Sequence, residues 1–175
     1  MNHRDPADVW RLPRIRALLA GLPGPVGNGE LLVRVDVGDA DSIPGAAFAL
    51  VDRVARLPPR WKPGGFEEDV PADAGEFTVK LSETAEATAT GVLVWLMSTT
   101  MVYGGRGRYA ESKAHDVAKA LVRLLGPGTR WWTNVSSRTF TPARAWQPVT
   151  RHTMDAVVVG AGGGVIVTVL AFDDD

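Results

Sequence analysis

The sequence predicts a single α+β domain over residues 1–175, with a mixed, mainly antiparallel sheet of about six strands and two to three helices on one face. Three observations lead there. The chain has 175 residues, 45% of them apolar, with no internal repeat and no linker dividing two cores. Segments of strict alternation are interleaved with apolar stripes at three- and four-residue spacing. Near the carboxyl end, two apolar runs flank a glycine-rich turn, as in a hairpin.

Asp5-Pro6 opens the first helix, an N-cap carboxylate followed by proline at the first helical position. Pro13 is expected to break it, and Gly21 and Pro23 end it. Between Leu31 and Val37 the valines alternate with Arg34 and Asp36, the pattern of a half-buried strand. Asp41 or Ser42 caps a second helix, whose stripe Ala47, Phe48, Val51, Val54, Ala55 and Leu57 stops at Pro58-Pro59. Residues 58–75 lose all periodicity and carry Trp61, four prolines and an acidic triplet; irregular segments of such length are usually binding loops, lids or linkers.

Phe77, Val79 and Leu81 alternate with polar residues and read as a strand. Gly91–Val102 is apolar on both faces and reads as a central strand, with Trp95 in the core. After Gly104-Gly105-Arg106-Gly107 comes the clearest helix, with Ala114, Val117, Ala118, Leu121, Val122 and Leu125 on one face and Gly126-Pro127-Gly128 as its stop. Thr129–Val135 reads as a short strand whose adjacent Trp131 and Trp132 must face opposite sides. Residues 136–153 form a second irregular, arginine-bearing segment. Ala156–Val159 and Val165–Phe172 then form the hairpin, and Asp173-Asp174-Asp175 reads as a solvated tail.

Composition excludes several chemistries. Without cysteine there are no thiolate metal sites, thiol catalysis or disulfides. The amino terminus lacks a secretory pattern and the longest apolar run is too short to cross a bilayer, so a cytoplasmic, non-membrane protein is expected. Fifteen arginines against four lysines suit a high-GC bacterial genome.

The motifs are weaker than they look. Gly160-Ala161-Gly162-Gly163-Gly164 resembles a dinucleotide turn in spelling, but a strand follows it where pyrophosphate binding requires a helix. Gly105–Ala110 does lie between an apolar run and a helix; its glycines could admit an anion and Arg106 and Arg108 could clamp it, or it is a plain connection. Glu111 and His115 share a helix face but lack a third metal ligand. His152, Asp155 and Ser136-Ser137 lack the strained G-x-S-x-G turn of a serine hydrolase. No catalytic residue, metal site or cofactor is expected, and the chain reads as a binding protein before an enzyme.

Charge carries the most information. Residues 61–100 hold two basic and seven acidic groups, and residues 101–152 hold nine basic and two acidic, although the whole chain is nearly neutral at −1. The basic block either steers an acidic partner or is neutralised across the folded surface. The expected function is macromolecule binding, such as an immunity-type inhibitor of a toxin. Its binding residues would be Arg106, Arg108, Arg138, Arg144, Trp146 and Arg151, with Trp61 as a further anchor. Two alternatives are an enzyme or sensor holding an anionic small molecule at Gly104–Arg108, and a subunit of a phage-like or secretion assembly. Nucleic acid is the weaker partner, because the chain has neither net basic charge nor a recognition motif. The oligomeric state is open.

Overall fold

A computed structural model describes residues 6–57, 70–135 and 147–174, without the side chains of 6–9. The elements are α1 (Pro6–Leu19), β1 (Gly24–Val26), β2 (Gly29–Val37), α2 (Ile43–Ala55), α3 (Ala74–Val79), β3 (Ser82–Thr84), α4 (Glu86–Ser98), α5 (Glu111–Leu125), β4 (Arg130–Thr133), β5 (Met154–Gly162) and β6 (Val165–Asp173). Among the described residues the strands form one six-stranded sheet in the order β1-β2-β6-β5-β4-β3, with every pairing antiparallel. The fold is α+β, with five α-helices among the described residues where the sequence suggested two to three.

The centre is the β5–β6 hairpin. Gly163 and Gly164, at φ +53° and +72°, make the two-residue turn that antiparallel strands favour, because only glycine enters both positive-φ positions freely. Both strands are buried along nearly their whole length. That double burial corrects the expectation of helices on one face. Ala156, Val158, Val167 and Val169 pack with α1, α4 and α5, whereas Val157, Val159, Ile166 and Leu170 pack with α2 and α3. A strand that is apolar at every position needs a layer on each side.

Two segments are helical where strands were expected. Gly91–Val102 falls largely in α4, whose Val92, Leu93, Leu96 and Met97 are buried between the sheet and α5. An apolar run with no polar face fits a sandwiched helix as well as a central strand, and periodicity alone does not separate them. Trp95 is accordingly half-buried at the edge of this core. Phe77 and Val79 belong to α3, started by Asp73, whose carboxylate accepts from Glu76 N at 2.9 Å while Glu76 accepts from Ala72 N at 2.8 Å. Phe77 is fully buried and Val79 is 82% exposed, which a strand presenting both on one face would not allow. The paired strand is the shorter β3, which begins just beyond Leu81.

Other elements follow their sequence signals. The α5 face predicted from spacing is the buried one, and Gly126 at φ +88° ends the helix. Trp131 is buried and Trp132 half-exposed, on opposite faces of β4. The first helix, however, runs through Pro13 without the expected break. Of the irregular segments at 58–75 and 136–153, residues 58–69 and 136–146 lie outside the described residues.

Two substitutions test this frame. Leu121→Ala empties a fully buried site on α5 and should cost about 2–5 kcal/mol in chemical denaturation; a loss below about 0.5 kcal/mol would place that face outside the core. Gly160→Ala sets a Cβ 2.5 Å from the Trp131 ring, so it should cost about 1–3 kcal/mol as an overpacked site.

Candidate functional site

The features that combine exposure with order gather at one end of the sheet, where β6 ends, β5 begins and β1 turns into β2. Asp173 and Asp174 organise it. Asp173 is 2% exposed; its carboxylate accepts from Asn28 N at 3.0 Å, Val102 N at 3.1 Å and Asp174 N at 3.1 Å. Asp174 accepts from Thr153 N at 3.0 Å and lies 2.9 Å from His152 Nδ1. The solvated tail expected of these two residues is therefore corrected: both are buried at the end of β6, and each carboxylate accepts from backbone amides.

On the face of α1, α4 and α5, Asp173 helps to hold the loop that runs from Thr99 to Tyr109. Thr100 N donates to Gly105 O, Gly104 N to Thr100 O, Gly107 N to Ser98 O and Tyr109 N to Met97 O, all at 2.8–3.1 Å. Gly105 N donates to Thr100 Oγ1 at 2.7 Å. Gly107 must be glycine, because a Cβ there would run into the Thr99 amide. The loop is thus stiffly braced, and it carries Tyr103, 71% exposed, and an exposed Arg106. Arg108 is turned back, donating from Nε to Gly21 O at 3.1 Å. The three glycine amides that could have cradled a phosphate already donate within the loop, which removes the main attraction of an anion site there.

The remaining arginines are dispersed. Arg151 donates to Leu57 O at 2.8 Å, at the end of α2 on the opposite face. Arg138, Arg144, Trp146 and Trp61 lie outside the described residues. Arg130 joins Glu83 through two bonds of 2.8 and 2.9 Å and covers Trp132 at 4.9 Å. Here the acidic block meets the basic one. The hydrogen bonds from Arg130 hold the Glu83 carboxyl below its usual range. That small, exposed contribution is present above the unfolded carboxylate pKa and is lost as pH falls through the folded one.

On the α2 face, His152 is 6% exposed and stacks on Phe172 with ring centroids 3.9 Å apart. Its Nε2 is buried without a partner, at a general cost of about 1–3 kcal/mol for such an atom. His152, Asp174 and Glu30 share the wall of a cavity of about 250 Å³. Sequence reasoning passed over this group and considered Asp155 beside His152 instead. Asp155 serves the frame: it accepts from Thr150 N at 2.6 Å, Thr150 Oγ1 at 2.7 Å, Val149 N at 3.0 Å and Asn134 Nδ2 at 2.9 Å. Counting outward from Gly163-Gly164 would have set Thr153 opposite Asp174 and brought His152 to it. Glu111 and His115 form an exposed pair at 3.8 Å. Among the described residues no group of three His, Asp or Glu could hold a metal ion, and no helix is long and apolar enough to cross a membrane.

No protein-family model matches the chain, and no curated protein or solved structure shows significant similarity to it.

The Asp155 cluster has a direct test. Asp155→Ala leaves several buried donors without their charged acceptor, each worth about 1.5–3 kcal/mol, so global stability should fall by at least about 3 kcal/mol. A fall of under about 1 kcal/mol would show that water replaces the carboxylate there.

Proposed function

We propose that the chain is a protein-binding domain whose contact surface includes the Thr99–Tyr109 loop, with an acidic partner and Tyr103 and Arg106 as its anchors. The observation that carries this reading is the combination of a loop backbone held by several hydrogen bonds with an exposed tyrosine on it. A tyrosine has only two χ angles to fix, so burying it costs little conformational entropy, and tyrosine and arginine are among the residues most enriched where interface energy concentrates. Arg106 has no side-chain partner among the described residues, so its charge is available to steer association. The excess of basic over acidic groups in the sequence from 101 to 152, nine against two, supports the sign of the partner. Inhibition of a toxin, in the manner of an immunity protein, is the specific form we propose for this binding.

The reading is tested with the full chain and variants altered at the loop. Partners are captured from the native host by a photocrosslinking side chain at position 103 and then measured as purified pairs. Tyr103→Ala should weaken the complex by tenfold or more, chiefly through faster dissociation. Arg106→Glu should slow association and flatten its dependence on salt, since the Debye length falls from about 10 Å at 0.1 M to about 3 Å at 1 M. A partner whose kinetics ignore both changes would overturn the assignment of this loop. Self-assembly through position 103 would instead favour an assembly subunit.

A further inference from the structure

The cavity on the α2 face has a chemistry of its own. Its ionisable wall consists of Glu30, Asp174 and His152. Asp174 lies 2.9 Å from His152 Nδ1, and this contact orients the imidazole ring in the cavity wall. Its Nε2 is unpartnered although the side chain is more than nine-tenths buried. Glu30 is half-buried and has no partner among the described residues. Asn28 adds an amide that can present its oxygen. Arg151, the cation beyond Leu57, is committed to that residue's carbonyl.

The rest of the wall is apolar and hard. Pro25, Leu57 and Phe172 line it, and Phe172 is held by the His152 ring on one side. Gly29 keeps β2 close to β6, since a Cβ there would collide with the Phe172 carbonyl. At about 250 Å³ the space is below the roughly 300–1,000 Å³ of pockets for drug-sized ligands, so it suits one side-chain-sized group.

From the two carboxylates on this apolar-floored cavity we infer a binding site for a guanidinium group, held by Glu30 and by Asp174 of the Asp174–His152 pair. A guanidinium offers only donors, is planar, and is weakly enough hydrated to lie against apolar walls, whereas an ammonium is compact and strongly hydrated. The group can come from a free small molecule or from an arginine side chain of another protein. The inference shares no residue with the Tyr103 loop, so either can fail without the other.

Agmatine, a capped arginine peptide and butylammonium are titrated into the full chain while the imidazole nitrogens of His152 are followed by NMR. Agmatine should shift the His152 signals saturably, and Glu30→Gln should weaken its binding at least tenfold while leaving the thermal unfolding profile intact. Binding of the capped peptide as well assigns the site to arginine side chains; binding of agmatine alone assigns it to a small guanidinium compound. No saturable shift up to tens of millimolar agmatine overturns the site. So does equal binding of butylammonium, or agmatine binding unchanged by Glu30→Gln. His152→Gln is a second variant: if it folds, it should also lose agmatine binding, and full retention would contradict the role given to the Asp174–His152 pair.

Discussion

The register of the β5–β6 hairpin determines where almost everything else in the molecule can lie. Gly163 and Gly164 close the turn, and from there Gly162 faces Val165 and Met154 faces Asp173. A slip of one residue would exchange the two faces of both strands. Here that would trade the layer of α1, α4 and α5 for the layer of α2 and α3, with different side-chain volumes on each. Trp131 packs over Gly160, where a Cβ would meet its ring, so the β4–β5 register is held as well. The two-sided core therefore enforces the register more strongly than a sheet with one wet face could.

The same register explains why the carboxyl end is ordered. β2 pairs along β6 from Val37 through Glu30, so the end of β6 is flanked by β2 on one side and β5 on the other. Asp173 and Asp174 thereby arrive beside amides from three separate parts of the chain, at Asn28, Val102 and Thr153. Carboxylates in such places act as connectors, accepting bonds that no neighbouring strand supplies. One faces the loop of Tyr103 and the other faces His152. Two adjacent residues thus stabilise the two surfaces with the clearest binding character, one on each side of the sheet.

Much of the frame was legible from residue spacing. Alternation located β2 and the amphipathic stripe located α5, because in both one face is more buried than the other; the glycines located the final hairpin by its turn, although its strands are buried on both faces. Legibility failed where that contrast vanished. The run that became α4 is apolar all round, and the five residues from Phe77 to Leu81 satisfy a strand pattern and one turn of helix equally well. The candidate site was less readable. Arg106 was singled out and is exposed beside Tyr103, but Arg108, Arg130 and Arg151 are bonded within the chain. A count of charges along the sequence cannot separate a free arginine from one that supports a turn. His152, Glu30 and Asp174 are far apart in sequence and meet only through strand pairing.

Amide hydrogen exchange in the free chain would examine the sheet end itself. The Asn28, Val102 and Thr153 amides are held by the side chains of Asp173 and Asp174 rather than by a neighbouring strand. If those carboxylates order both surfaces, all three amides should be protected well above unfolded rates. Asp173→Ala should then release Asn28 and Val102 while leaving the amides of β5 and β6 protected. Exchange of all three at unfolded rates, beside a protected hairpin, would contradict the ordered sheet end and with it the pre-formed surfaces that both functional readings require.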